Sequence, residues 1–334
     1  MYRRKEILHN VTSYLLNEND TLIISGKDNS YQYNYVSKEK KILISSEMFY
    51  MILLQDNILL FQIENGKSFF SYNEEEIMEY KGCYYLWKLV KYSEGFLVKG
   101  KYENKKCIYK FDKEFNNSII ECVYYPEKFI DNTHRYLFHG GTYISLNLFE
   151  NDIQLWQHSF SELLQGNDIL QTGNILLSKN KLYFHLYERN QTNNATVCLD
   201  VESGTVLNKY NNFGIYLQEQ DDSIYTAYNY EFKILDTKTQ KVESVNMEND
   251  FEQHNLRINL SRWVVHDNLL YFVDGMIMPT NRFGIIDIDT GKLIDLQEID
   301  INDGISNNIK EIQVRQDKIY IHASDNTLHI FEKE

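Results

Sequence analysis

The chain has 334 residues, with 34 Lys and Arg against 48 Asp and Glu, so its formal net charge is −14. Hydrophobic residues make up 43% and charged residues 25%, a globular composition that excludes wholesale disorder. The negative charge argues against nucleic acid or an anionic membrane as the main partner. The chain contains only two prolines, and 14% of its residues are aromatic. Abundant aromatic residues favour strands over helices.

Along the chain, an acidic, Asn or Gly turn followed by an apolar run occurs eight times. Such residues suit tight hairpin turns, which need positive φ. The turn markers are Asp20, Asp56, Gly95, Gly141, Asn180, Asp221, Asp267 and Asp317. Their spacing gives about 42 residues per unit, and four-stranded propeller blades run about 40–45 residues.

A second pattern sits later in three of the units, at Cys198–Val206, Ile234–Val242 and Ile285–Leu293. Each run reads as a strand, a turn opened by Asp and closed at or near Gly-Lys, and another strand. The pattern resembles the D-x-x-T-G-K turn of bacterial quinoprotein-like and WD40-like β-propeller repeats. The resemblance implies a propeller fold and no particular activity, because no tryptophan is followed by Asp and no tryptophan recurs at one register.

We therefore expect an all-β protein, with a single β-propeller domain over residues 1–334. The count of turns predicts eight four-stranded blades. Seven blades are the alternative, because the first two units are short and degenerate. The last unit shows only three strands, so residues 1–10 are expected to supply the closing strand that completes it.

Binding is expected on the long irregular connections, since such loops on a rigid scaffold commonly carry function. Tolerated surface insertion is the alternative reading of the same loops. Residues 1–110 hold 16 basic and 14 acidic residues, so the remaining 18 basic and 34 acidic residues sum to −16. The predicted partner-binding residues are Tyr124, Tyr125, Phe129, Glu248, Asp250, Phe251, Glu252, Arg257, Arg282, Asp300 and Asp303.

The sequence favours a non-enzymatic, protein-binding propeller whose acidic loops attract a basic protein partner. An inhibitor or bacterial immunity protein would fit the size, the acidity and the lack of a visible signal peptide. The protein is expected to be a cytoplasmic monomer, without a nucleic-acid or membrane partner.

The alternative is a hydrolase- or lactonase-like enzyme, or a small-ligand receptor, that holds a divalent cation with carboxylates at the central channel. No catalytic residue, metal ligand or cofactor is assigned, because the chain has no His-x-His, His-Glu-x-x-His or Cys-x-x-Cys motif and no Gly-rich phosphate loop. A carbohydrate-binding propeller would line repeated pockets with aromatic residues, and the connections are too unlike one another for that arrangement.

Overall fold

The structure is a computed structural model of the 334-residue chain. It describes residues 1–17, 21–54, 58–64, 67–73, 75–92, 94–121, 128–129, 135–148, 153–189, 193–275, 280–302 and 308–334.

The described residues form eight four-stranded antiparallel sheets, numbered here as blades 1 to 8. The N-terminal strand is β1 (Tyr2–Leu8). Blade 1 contains β2 (Val11–Leu16), β3 (Thr21–Gly26), β4 (Ser30–Asn34) and β5 (Lys40–Ile44). Blade 2 contains β6 (Met48–Leu53), β7 (Leu59–Ile63), β8 (Ser68–Asn73) and β9 (Glu76–Lys81). Blade 3 contains β10 (Cys83–Tyr92), β11 (Gly95–Tyr102), β12 (Lys105–Asp112) and β13 (Asn117–Glu121).

The later blades repeat this order. Blade 4 contains β14 (Lys128–Phe129), β15 (Arg135–Gly140), β16 (Tyr143–Leu148) and β17 (Gln154–Ser159). Blade 5 contains β18 (Ile169–Ser178), β19 (Lys181–Glu188), β20 (Asn194–Asp200) and β21 (Val206–Asn211). Blade 6 contains β22 (Gln218–Gln220), β23 (Ser223–Tyr228), β24 (Glu231–Asp236) and β25 (Val242–Asn246). Blade 7 contains β26 (Ile258–His266), β27 (Leu269–Asp274), β28 (Arg282–Asp287) and β29 (Leu293–Glu298).

Blade 8 is completed by the other end of the chain. It contains β30 (Ile309–Arg315), β31 (Lys318–Ala323) and β32 (Leu328–Lys333), and β1 pairs antiparallel with β32. The phenol groups of Tyr2 and Tyr271 are 2.9 Å apart, so the closing strand also bonds to blade 7. The fold is a β-propeller with eight four-stranded blades, which confirms the predicted count and closing strand and shows the seven-blade alternative to be wrong.

The chain divides into two compact units. The smaller unit is Asn10–His139 with Ser145–Leu155, and it carries blades 1 to 3 and much of blade 4. The larger unit is Met1–His9, Gly140–Ile144 and Trp156–Glu334, and it carries blades 5 to 8. A single domain over the whole chain stays a prediction.

In both units the apolar cores lie between neighbouring sheets. In the smaller unit Phe69 from blade 2 packs edge-on against Phe111 from blade 3, with ring centroids 5.2 Å apart. In the larger unit one core joins blades 6 and 7 through Phe232 and Phe272, and another joins blades 7 and 8 through Phe283 and Phe331. The aromatic residues that the composition singled out therefore supply the large rings that fill these interfaces.

The three Asp turns of the larger unit share one hydrogen-bond pattern. The Oδ1 atoms of Asp200, Asp236 and Asp287 each accept a hydrogen bond from the backbone N–H of the residue three positions later, at 2.8, 2.7 and 2.8 Å. These N–H bonds hold the pKa values of the Asp200 and Asp236 carboxyls below the ordinary value. The pKa of Asp287 is lowered most by the Thr290 hydroxyl, which donates at 2.7 Å, and then by the Thr290 N–H. The residue four positions after each Asp has a positive φ. These residues are Gly204, Gln240 and Gly291. Asp suits the first position because a short carboxylate reaches the turn amides.

A further copy of this turn lies in blade 1, where the sequence pattern is obscured. Asn34 takes the Asp position, and its Oδ1 atom accepts the Ser37 N–H at 2.8 Å. Lys38 takes the Gly position with a φ of 62°, and its N–H bonds to the Asn34 carbonyl at 2.9 Å. Asn is tolerated because its side-chain oxygen accepts the same bond.

A backbone hydrogen bond joins the two kinds of predicted turn in blades 5 to 7, and an equivalent bond starts from the end of β32 in blade 8. In blades 5 to 7 the donor is the first residue after the third strand, and in blade 8 it is the last residue of β32. The acceptor lies in the turn between the first and second strands of the same blade, counted in chain order from β18, β22, β26 and β30. The donor–acceptor pairs are Val201 to Asn180 (3.0 Å), Thr237 to Asp222 (2.9 Å), Ile288 to Asn268 (3.1 Å) and Lys333 to Asp317 (3.0 Å). We call this edge of the blades the turn edge.

The two helices of the described residues are short: α1 (Phe160–Leu164) and α2 (Glu248–His254). Neither has the length and apolar character needed to cross a membrane.

We predict that Gly291→Ala lowers the free energy of unfolding by about 1–3 kcal/mol. Gly291 has a φ of 67°, and an added Cβ would lie 2.6 Å from the Asn246 carbonyl oxygen. Gly141→Ala is the matched control, because nothing lies within 4 Å of a Cβ there. Urea denaturation of both variants measures the difference, and equal stabilities would contradict the strained-turn explanation.

Candidate binding site

The irregular connections of blades 5 to 8 lie at the edge opposite the turn edge, because successive antiparallel strands reverse direction. We call this the loop edge. The connection over residues 247–257, predicted as an irregular loop, contains helix α2. Some of the predicted binding residues on and around this helix hold the helix in place, and others are exposed on its surface.

Two residues of α2 fix the helix to its blade. Phe251 is 2% exposed and stacks on Phe272 with ring centroids 5.3 Å apart, so its side chain belongs to the core and not to a binding surface. That corrects the prediction for Phe251, whose inward position follows from the helical turn that the sequence pattern did not reveal. The Asp250 carboxylate accepts the Leu293 N–H at 2.8 Å and so links α2 to β29.

Arg282 fixes the end of α2. Its guanidinium forms an ion pair with the buried Asp274 carboxylate and donates to the carbonyls of His254 (3.4 Å) and Asn255 (3.0 Å). A cation is favourable at a helix C-terminus, where carbonyls lack helical partners. Arg257 donates its backbone N–H to Asp274 at 3.0 Å, while its side chain is exposed.

The remaining predicted residues are dispersed. Glu248 and Glu252 are exposed on α2, and Asp300 is exposed on the connection that follows β29. Phe129 lies in strand β14. Tyr124, Tyr125 and Asp303 lie outside the described residues.

A tyrosine-bearing hairpin, not predicted as a site, lies beside α2. Strands β23 and β24 are joined at Asn229 and Tyr230, with Asn229 at a φ of 57°. Asn229 exchanges two backbone hydrogen bonds with Ile258 at the start of β26, of 3.1 and 2.6 Å. The side chains of Tyr228 and Tyr230 are 50% and 49% exposed. The turn is therefore held by its backbone while both rings remain accessible.

A cavity of about 510 Å³ opens at the loop edge between blades 5 and 6. We call it the interblade cavity. Its lining residues are Thr172, His185, Tyr187, Asn194, Asn212, Phe213, Gly214, Ile215, Thr226, Tyr228, Glu231, Lys233 and Leu260.

A second, smaller cavity of about 280 Å³ connects the hairpin to α2. Its lining includes Tyr230, Asn246 and Glu248. Both cavities include Glu231 and Lys233, whose charged groups form an ion pair at 2.8 Å. The two tyrosines are divided between the cavities, with Tyr228 in the larger and Tyr230 in the smaller.

His185 forms part of the floor of the interblade cavity. It is buried, and its Nδ1 atom lies 3.3 Å from the Thr196 hydroxyl, which donates to the Gly214 carbonyl. Burial lowers the pKa of His185 to about 4, because the charged imidazolium would lack the water that stabilises it. The imidazole is therefore neutral at pH 7.

Sequence reasoning missed this hairpin because it took long connections as the signal for binding. The β23–β24 turn is among the shortest connections of the loop edge, and only the Tyr-Asn-Tyr triplet at 228–230 marked it. Asn is a common residue at positive φ, and aromatic residues on both sides of such a turn project from it.

No group of three or more His, Cys, Asp or Glu side chains in the described part of the chain is arranged to hold a metal ion. The Cys83, Cys107 and Cys198 side chains, which lie in that part, are reduced thiols outside any disulfide.

No protein-family model matches this chain, and no curated protein matches its sequence. Two solved structures are similar over nearly the whole length. The superposition with BamB from Moraxella catarrhalis covers 100% of this chain and 100% of BamB, at 10% sequence identity and with a TM-score of 0.61. The computationally designed Ika8 protein covers 97% of this chain and 96% of its own at 13% identity with a TM-score of 0.59. At such identities the likeness shows the fold alone, and it confirms the fold-level resemblance expected from the Asp turns.

We predict that Arg282→Met lowers the free energy of unfolding by about 3 kcal/mol, because the buried Asp274 carboxylate loses its ion pair. Arg257→Met is the matched control, since that side chain is exposed and its backbone N–H bond to Asp274 remains. Chemical denaturation at pH 7 compares the two variants. A loss for Arg257→Met as large as that for Arg282→Met would contradict the assigned roles.

Proposed function

We propose that this protein is a non-enzymatic binding protein that holds a basic protein partner at its loop edge. The contact area is the hairpin–helix surface, which consists of Tyr228, Tyr230, Glu231, Glu248 and Glu252. The observation that carries the proposal is the pair of half-exposed tyrosines on a backbone-fixed turn, one of which, Tyr230, lines a cavity together with Glu248 of α2.

The tyrosines supply the expected anchors of such a contact. Tyrosine is enriched among the residues that dominate binding energy, because its ring buries a large apolar area and its hydroxyl keeps a polar partner. Tyr230 and Glu248 line the same cavity, so a partner side chain placed there meets a ring and a carboxylate together.

The hairpin–helix surface is also rigidly supported. The Asn229–Ile258 bonds hold the turn, while Phe251, Asp250 and Arg282 hold α2. A surface that is already ordered loses little conformational entropy when a partner binds. Phe251, Asp250 and Arg282 were predicted to bind a partner. They instead hold α2, and so they support the contact area from within the blade.

Charge supports a basic partner. Glu248 and Glu252 are exposed on α2, and residues 111–334 carry an excess of 16 negative charges. Negative surface charge steers a positively charged protein toward it and accelerates association. An inhibitor-like role, of the kind an immunity protein has toward a toxin, follows as the finer part of the proposal. The cytoplasmic location and the monomeric state stay predictions.

We expect Tyr230→Ala to weaken the purified partner complex by about tenfold or more, corresponding to about 1.4 kcal/mol or more. The partner is first identified by affinity purification from the native host at low salt and is then prepared separately. Isothermal titration with the purified partner gives the affinities. Glu248→Gln with Glu252→Gln should lower the association rate and reduce its salt dependence.

Tyr102→Ala is the matched control, because Tyr102 is 48% exposed next to the β11–β12 turn of the smaller unit. It should leave the affinity unchanged. An affinity that is insensitive to Tyr230→Ala, or a partner whose binding does not respond to salt, would contradict the proposed surface. Loss of the partner's own activity in the complex would support the inhibitor role, and full activity in the complex would overturn it.

A further inference from the structure

The interblade cavity has the size and the lining of a small-ligand site, and it lies next to the hairpin–helix surface, with which it shares Tyr228 and Glu231. Its volume of about 510 Å³ lies within the range of about 300–1,000 Å³ found for ligand pockets. The cavity lies between blades 5 and 6 and is built from residues of five strands of these blades, the connection over residues 212–215, and Leu260 of β26 in blade 7. Its walls therefore belong to the ordered sheets of the larger unit.

The charges that line this cavity cancel each other. Lys233 and Glu231 form an ion pair at 2.8 Å, and the Lys233 ammonium also donates to the Asn212 carbonyl. His185 is neutral at pH 7. A ligand with a net charge would find no unpaired opposite charge among these lining residues, so the cavity is matched to a neutral ligand.

The polar groups of the lining suit a ligand with several hydroxyl groups. Asn194 and Asn212 present side-chain amides that form no hydrogen bond with any residue the structure describes, and Thr172 adds a hydroxyl. An amide both donates and accepts, and a hydroxyl does the same, so these groups complement ligand hydroxyls in either sense. Buried polar groups of a bound ligand require such partners.

Two tyrosine rings complete the lining, in addition to the buried Phe213 ring. Tyr187 comes from β19 and Tyr228 from β23, so one ring lies on each of the two neighbouring blades. A ring offers a flat apolar face that packs against the C–H face of a cyclic ligand, while its hydroxyl stays available for hydrogen bonding.

We propose that the interblade cavity binds a neutral sugar unit of the hexose or N-acetylhexosamine class. The unit comes either from a free sugar or from the end of a glycan. This is one cavity between neighbouring blades, in contrast to the repeated pockets of a carbohydrate-binding propeller.

The cavity is a binding site and not a hydrolytic one. Glycoside hydrolysis generally uses a pair of carboxyl groups on either side of the bond that breaks. Among the residues that line the cavity, Glu231 supplies a single carboxylate, and it is held by Lys233.

The test uses the full chain and a panel of glucose, galactose, mannose and N-acetylglucosamine with their methyl glycosides. Saturation-transfer NMR detects binding, and isothermal titration measures affinity. We expect at least one sugar to bind saturably, and binding to be equal at pH 6 and pH 8 because His185 is neutral at both. Retained binding of the methyl glycoside indicates a glycan end, and its loss indicates a free reducing sugar; both support the proposal.

Tyr228→Ala and Asn194→Ala should each weaken sugar binding by about tenfold. Tyr230→Ala is the matched control, because Tyr230 is equally exposed and outside this cavity, and it should change the affinity less than twofold. Lack of saturable binding by the whole panel up to 20 mM, roughly the weakest affinity a specific site retains, would overturn the proposal. Binding that survives both substitutions would overturn it as well. Neither result bears on the protein partner, whose contact is tested through Tyr230.

Discussion

In blades 5 to 7 a single repeated hydrogen bond joins the two turns at one edge of each sheet, the end of β32 makes the equivalent bond in blade 8, and the rest of the architecture depends on these bonds. The backbone N–H of Val201, Thr237 or Ile288 donates to the hairpin turn of the same blade. The Asp carboxylates beside these donors hold their own turns through bonds of 2.7–2.8 Å. Because turn chemistry fixes this edge, similar residue types recur here from blade to blade, whereas the connections at the opposite edge differ from one another.

Fold prediction succeeded where these local bonds leave a sequence signature. Short polar turns with positive φ can be recognised from residue type alone, so eight blades and the closing strand were predictable. The copy at Asn34 and Lys38 escaped because the same geometry accepts Asn in place of Asp and Lys in place of Gly. Side-chain chemistry at such a position is degenerate even when the backbone bonds are the same.

The site was predictable only in part, because its residues are brought together by packing between blades. The α2 connection was expected, but Phe251 and Arg282 turned out to support it from within, as their contacts are long-range in sequence. Tyr228 and Tyr230 were missed because a two-residue turn carries no length signal. The interblade cavity joins residues up to 88 positions apart, from Thr172 to Leu260, and no local pattern reports such a juxtaposition. Tyr228 and Tyr230 place one ring each at two neighbouring cavities, where the two binding proposals are made.

Amide hydrogen exchange, measured residue by residue with NMR, tests most directly whether the turn edge is the fixed edge of the blades. The account predicts that the amide protons of Val201, Thr237 and Ile288 are protected as strongly as those of the adjoining strands, because each donates a backbone hydrogen bond of 2.9–3.1 Å. Exchange of these amides at the rate of an unstructured turn, while the strands stay protected, would contradict it.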